Sequence, residues 1–229
     1  MTALAEALGT IRDPRAEAVL ARLHRRADRQ NLGLMASFAR HLPRLLGRRP
    51  LPWPQLEPSL SDRYLALDPR SGALCYMLAR MLLARQVVEF GTSFGVSTIY
   101  LALAVRDNGG GRVIGTERVP GKAAQARAHL EEAGLASFVE IREGDALETL
   151  RDLSGPVDFV LNDGFPRFAL PVLRLVAPHM RPGAIALCGN AVLFPADHAD
   201  YLAWVRDPGN GFRSMRLAAK PGGELSVRT

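Results

Sequence analysis

The chain of 229 residues is 48% hydrophobic, enough to bury the core of one full α/β domain with a modest extension. No apolar run reaches the roughly 20 residues that cross a bilayer and no secretory signal opens the chain, so the cytoplasm is the expected compartment and a membrane is not an expected partner. The net charge of +6 gathers in residues 1–50, with ten arginines against four acids, yet 27 of the 29 basic residues are arginine along the whole chain; this is composition bias on a solvated face, and nucleic acid is not an expected partner.

From Pro14 to Leu46 the residues Val19, Leu20, Leu23, Leu34, Met35, Phe38, Leu42, Leu45 and Leu46 recur at helical spacing and predict two amphipathic helices. Their apolar stripes need a surface, either the following domain or a second copy in a homodimer. Arg49 to Pro58 holds four prolines, which are expected to forbid regular helix and mark a linker. Residues 1–58 therefore form a helical arm with a Pro-rich linker, and 59–229 a ligand-binding domain. Cys75 and Cys188, far apart and inside apolar segments, read as small buried hydrophobes, so neither a disulfide nor a zinc site is expected.

After Asp68 short β-rich runs alternate with helical stretches, at Gln86–Thr92, Arg112–Glu117, Val139–Asp145, Val157–Asp163 and Gly183–Gly189. The runs VVEF, VDFVL and AIALC are almost wholly apolar, as parallel strands covered on both faces should be. Between Phe212 and Arg228 two β-rich runs flank KPGG, a turn composition that predicts a hairpin. The expected fold is α/β: a Rossmann-like, doubly wound, seven-stranded, mostly parallel sheet with a C-terminal antiparallel hairpin and an N-terminal helical arm.

In doubly wound sheets, ligands bind beyond the carboxyl ends of the strands, where the strand order reverses. The first strand passes through Glu89 into Gly91-Thr92-Ser93-Phe94-Gly95-Val96-Ser97, whose small residues let the backbone turn tightly and approach a ligand at a helix N-terminus. A dinucleotide fingerprint would have a second glycine at Ser93, so a ligand without a pyrophosphate fits better. The second strand ends at Glu117, where an acid can accept from both ribose hydroxyls. The third ends in Gly144-Asp145-Ala146, a carboxylate for an adenine amino group and an N–H for its ring. The fourth ends in Asn162-Asp163-Gly164, where an acid can face the cationic amino end of a methionine moiety while Ser97 donates to its carboxylate.

The succession E-x-G-x-x-x-G-x-S, strand-two acid, G-D-A and N-D-G resembles class I S-adenosylmethionine-dependent methyltransferases. From about Leu65 to Val227 the detail resembles the catechol O-methyltransferase-like small-molecule O-methyltransferases: Gly72, then VVEFGTSFGVST, GLASFVEIREGDA, DGFPRFALP, MRPGAIALCGNAV and DYLAWVRDP. That resemblance implies S-adenosyl-L-methionine as cofactor. Leu65 and Leu67 would line its pocket with Glu89, Gly91, Thr92 and Ser93, and Ser97 would hold its carboxylate. Glu117, with Arg118 beside it, would hold the ribose, Gly144, Asp145 and Ala146 the adenine, Asp163 the amino group, and Phe165 would lie on the adenine side.

The catechol type also binds magnesium, through an aspartate ending strand four and an Asp-Asn pair after strand five, and uses a lysine three residues past the first aspartate as base. Here Asp163 and Asn190 are kept, but Gly189 replaces the second aspartate and Pro166 the lysine. One carboxylate and one amide make a poor dedicated site for a hard cation, so a divalent metal is not expected, with Asp163 and Asn190 as the alternative ligands. His198, in the loop after Asn190, is the expected general base on the pocket rim, with Asp163 the second candidate. The function so implied is metal-independent O-methyl transfer to a small hydroxylated acceptor. The alternatives are a non-catalytic cofactor- or partner-binding protein and a metal-dependent enzyme whose site borrows Asp197 or Asp200. A nucleic-acid methyltransferase ranks last, since strand four lacks the N-P-P-Y or D-P-P-Y ending.

Overall fold

The computed structural model describes residues 2–217 and 222–229, without the side chains of Asn31, Leu32, Leu34 and Met35. The chain opens with α1 (Ala3–Ile11), which the sequence reading did not foresee, and the long α2 (Pro14–Ala39). α2 begins where the Asp13 carboxylate accepts from Ala16 N–H at 3.0 Å and Pro14 takes the first helical position. Ala16, Val19, Leu20 and Leu23 are buried in the core that α5 and α6 also enter. Asp13 pairs with Arg106 and Arg22 with Glu132, each at 2.5 Å, fastening α2 to the following domain. The first half of the expected apolar stripe thus covers the chain's own domain. The side chains of Leu34 and Met35 of that stripe lie outside what is described, and Leu42, on the short α3 (Leu42–Leu46), is 52% exposed.

The expected linker is instead ordered structure: Trp53–Leu60 is helix α4. Pro52 is its N-cap and Pro54 lies in the first turn, where an N–H has no helical partner anyway, so within the helix only Pro58 removes an interior bond. Leu56 and Leu60 are fully buried in a small cluster with Leu51 and Trp53, and this burial offsets the lost bond.

Helix α5 (Pro69–Met81), capped by Asp68, leads into the alternation β1 (Gln86–Phe90), α6 (Val96–Asp107), β2 (Arg112–Glu117), α7 (Pro120–Glu132), β3 (Val139–Glu143), α8 (Ala146–Thr149), β4 (Val157–Asn162), α9 (Pro166–Val176) and β5 (Met180–Cys188). Then come α10 (Ala199–Arg206), β6 (Phe212–Leu217) and β7 (Gly223–Arg228). Among the described residues seven strands form one sheet in the order β3-β2-β1-β4-β5-β7-β6. β1 to β5 are parallel, and β7 is antiparallel to both β5 and β6. The doubly wound sheet and terminal hairpin are as expected, although Lys220 and Pro221 of the hairpin turn lie outside the described residues. Separate cores pack the two faces of the sheet. Strand order reverses between β1 and β4, which opens a crevice at their carboxyl ends.

Candidate active site at the carboxyl ends of the strands

The chain leaves β1 and turns through Gly91 at φ 96°, where a Cβ would stand 2.8 Å from Gly164 Cα, so the ends of β1 and β4 approach more closely than any side chain allows. The Asp163 N–H donates to Phe90 O at 3.0 Å across the same gap. Ser93 sits in the left-handed region at φ 49°, held there by its N–H donating to Glu117 Oε2 at 2.8 Å. Glu117 Oε1 accepts from Val119 N–H at 2.8 Å. Both carboxylate oxygens are thus aimed by backbone, and each keeps a lone pair for a hydroxyl donor.

Glu89 is fully buried at the end of β1. Its Oε2 accepts from Thr92 Oγ1 at 2.9 Å and Thr98 Oγ1 at 2.5 Å, while Oε1 has no partner and neither does the buried Ser93 Oγ. Burial pushes the Glu89 carboxyl above its ordinary range although Ser97, Thr98 and Thr92 hydroxyls favour the charged form. Ser97 lies in the first turn of α6, whose N-cap is Gly95, so its hydroxyl is free of capping duty.

Asp163, just beyond β4, accepts from Asn190 Nδ2 at 2.8 Å. Its burial, with the negative charges of Glu89 and Asp68 nearby, pushes its carboxyl up to about 8. A Cβ on Gly189 would lie 2.7 Å from Asp163 Oδ1 and 3.2 Å from Leu67 Cδ2, so a side chain at 189 would require the Asp163 and Leu67 side chains to shift. Among the described residues no three histidine, cysteine or acidic side chains converge as a ligand set for a metal ion. Asp197 is committed elsewhere, accepting from Leu51 N–H at 2.7 Å and Trp53 Nε1 at 2.8 Å.

Gly144 N–H donates to Glu117 O at 3.0 Å, and Asp145 caps α8 through Leu147 N–H at 2.9 Å with its carboxylate exposed; Ala146 is buried beside it. Phe165 packs 6.0 Å from Trp53, centroid to centroid, and Trp53 meets Phe38 and Phe194 in an aromatic cluster drawn from four separate segments. Arg118 and Arg167 both donate to Glu57 Oε2 on α4, at 3.1 and 2.8 Å.

One expectation is corrected outright. His198 is not on the pocket rim: it is 1% exposed, its Nδ1 pairs with Phe194 O at 2.9 Å, and its ring stands edge-on to buried Tyr201. Three neighbours of the site were not singled out from sequence. The Asp-Pro pair at 68–69, a helix-start signal, could have flagged Asp68. Glu57 was hidden in the Pro-rich stretch. Tyr64, which stacks on Phe94 with centroids 3.8 Å apart, gave no local signal.

Residues 88–191 match the family described as a methyltransferase domain. A catechol O-methyltransferase of Mycobacterium tuberculosis is 34% identical over 145 residues, 61% of this chain and 65% of that protein. One from Niastella koreensis is 33% identical over 136 residues, 56% of this chain and 59% of that protein. The chain thus spans about three-fifths of the length of these curated relatives. The O-methyltransferase TomG of Streptomyces achromogenes, solved in complex with SAM, superposes with a TM-score of 0.62 at 26% identity over 76% of this chain and 86% of that one. Residues 88–191 thus carry the mark of a methyltransferase domain, and the chain is similar to S-adenosylmethionine-dependent O-methyltransferases. At the reversal point of the sheet the turn after β1, the β2 acid and the end of β4 come together, knitted by Gly91, Glu117 and Asp163.

Proposed function

We propose that this chain is an S-adenosylmethionine-dependent O-methyltransferase acting on a small hydroxylated acceptor of phenolic type without a divalent metal. The observation that carries the reading is the acidic pair at the reversal point: Glu89 with an orphaned Oε1, and Asp163 with its carboxyl pushed up to about 8. A buried acid with one oxygen unpartnered and, beside it, a half-buried acid with a raised carboxyl are matched by a ligand bearing both a positive charge and N–H donors. The residues fit that cofactor. Glu117 would take the ribose hydroxyls, Asp145 and the backbone at Ala146 the adenine, Ser97 the carboxylate, and Asp163 the ammonium. When bound, the cofactor supplies a methyl group on a sulfonium, open to in-line displacement.

The protein's own task is then to hold the acceptor oxygen in line and see it deprotonated. With His198 interior and Pro166 in place of a lysine, Asp163 is the one expected base left at the site, and pairing with the ammonium would lower the proton affinity it has in the free protein. Phe165, Trp53, Phe38 and Phe194 offer a flat apolar wall for an aromatic acceptor. Independence from metal is supported by the crowding at Gly189 and by the commitment of Asp197 to Trp53 and Leu51. The same lack of a dedicated base favours a second reading, a cofactor-binding protein without turnover. Exposed Leu42 and Leu46 on α3 suit a homodimer contact through the arm. Arg15 and Arg22, spent on the end of α7, weaken the case for nucleic acid.

The test is a thermal-shift titration with S-adenosylhomocysteine, joined to turnover on a phenolic acceptor panel with EDTA or with added magnesium. A raised Tm and EDTA-insensitive turnover are expected. No shift at millimolar ligand sinks the cofactor assignment, turnover that needs magnesium sinks metal independence, and binding without turnover selects the second reading.

A further inference from the structure

Helix α4 lies across the cofactor crevice, and its side chains tie the two banks together. Arg118 follows the ribose acid at the end of β2, and Arg167 follows Asp163 in the first turn of α9. Both guanidinium groups reach the same oxygen, Glu57 Oε2, at 3.1 and 2.8 Å. Glu57 is 9% exposed, and its other oxygen, Oε1, is buried with no partner. Two guanidinium groups facing a carboxylate could engage both of its oxygens, so this is a bridge made at half strength. On the same bank Lys122 Nζ donates to Leu60 O, at the end of α4, at 3.2 Å.

The space beside the turn after β1 is small. Tyr64, Leu65 and Ala66, the strap that follows α4, close with Thr92, Ser93, Phe94, Val96 and Ser97 around a cavity of about 10 Å³. That holds roughly one water, whereas pockets for ligands the size of a nucleoside run to about 300–1,000 Å³. A ligand of that size therefore needs the chain around this turn to move, and α4 is the neighbouring element free to do so. The packing permits this. Leu51, Trp53, Leu56 and Leu60 form a cluster of their own with Phe38, Leu45, Leu65, Phe165 and Phe194, separate from the two cores that hold the sheet. α4 can leave without opening either core as long as Tyr64, which stacks on Phe94 in the first of them, stays in place, and Pro58 already denies the helix one internal bond.

We infer that α4 is the gate of the cofactor crevice and that Glu57, bridging Arg118 and Arg167, is its latch. The inference rests on the cofactor reading above. Its role is kinetic: the latch slows both entry of S-adenosylmethionine and departure of the demethylated product, and the second step follows every methyl transfer.

Trp53 on α4 and Trp204 on α10 are the chain's tryptophans, so a Trp204→Phe background leaves α4 with its own fluorophore. In that background, stopped-flow mixing with S-adenosylhomocysteine is expected to give an observed rate that levels off at high ligand, the plateau being the opening rate. Glu57→Gln should raise that plateau and the release rate by about fivefold, the upper end for ion pairs with one exposed partner. Arg118→Gln and Arg167→Gln should each give part of that gain, which covers the case in which Glu57→Gln folds poorly. Hydrogen exchange of the ligand-free protein should show amides 53–60 less protected in these variants, with β1 and β4 unchanged. A rate that rises linearly with ligand and is the same in all variants, or unaltered exchange across 53–60, overturns the gate while leaving the cofactor reading intact. Absence of calorimetric binding in every variant overturns both.

Discussion

β4 carries an aspartate at each end, and the protein treats the two in opposite ways. Asp158, at the amino end, accepts from Arg85 N–H at 2.8 Å and Gln86 N–H at 2.9 Å, and pairs with Arg181 Nε at 2.6 Å. Burial alone would raise its carboxyl, but the Gln86 N–H, the Arg181 guanidinium and the Arg85 N–H outweigh it and hold the group below its ordinary range. Asp163, at the carboxyl end, has the Asn190 amide and is crowded by Glu89 and Asp68, so its carboxyl moves the other way, to about 8. One strand thus carries a structural acid satisfied by its own chain and an acid kept wanting a cation. The difference marks which edge of the sheet is for stability and which is for a ligand.

The largest expected effect breaks the structural end. Asp158→Ala leaves two backbone N–H groups and a guanidinium without their acceptor, which should cost about 3 kcal/mol and lower Tm by on the order of 6–12 °C in calorimetry. Cofactor affinity, measured where the variant is folded, should stay within about twofold of wild type. A larger loss of affinity would mean that the two ends of β4 are not independent.

Asp163→Asn should do the reverse. Because the folded value is raised, the contribution of Asp163 to stability is full below its ordinary value of 3.8 and is lost as pH climbs through about 8. Urea titrations of the ligand-free protein should therefore show wild-type stability falling with pH across that window, and the asparagine variant lacking that fall. Asp158, with its lowered value, contributes above 3.8 and loses that contribution only as pH drops below it. Affinity for S-adenosylmethionine should weaken in wild type by up to about tenfold per pH unit below about 8, since the cation must find Asp163 ionised. In Asp163→Asn the affinity should be low and nearly independent of pH. A pH-dependent affinity that survives the substitution would move the role to Glu89.

Glu117→Ala sharpens the comparison from the neighbouring strand. Its carboxylate resembles Asp158 in accepting backbone N–H groups, from Ser93 and Val119, yet it stands at the ligand edge like Asp163. Isothermal titration should show cofactor binding weakened by on the order of 1–3 kcal/mol. Unchanged affinity would make Glu117 purely a support for the Ser93 turn.

Much of this edge could be read before the structure, because its signals are local. Strand ends follow from apolar runs that stop at Glu89, Glu117 and Asp163. The turn through Gly91 needs small residues wherever a ligand meets backbone, and the parallel core strands declare themselves by being apolar on both faces. What the sequence determined by itself was thus the α/β class, the strand succession and the position of each strand-end acid.

Only the tertiary structure decided what those acids face. His198 and Asp197 lie side by side in one polar loop, but the first is turned into the core and the second outward to hold Trp53, a choice set by packing on Tyr201 and α4 and not by spacing. The prolines of 50–58 weigh against helix in a local reading, yet burial of Leu56 and Leu60 outweighs the single interior bond lost at Pro58. Gly189 reads as the loss of a ligand, and only the structure shows that its missing Cβ leaves the place, 2.7 Å away, that Asp163 Oδ1 now occupies. β7 sits between β5 and β6 because the hairpin's partner is chosen by the free edge of a finished sheet, to which no residue within the hairpin refers.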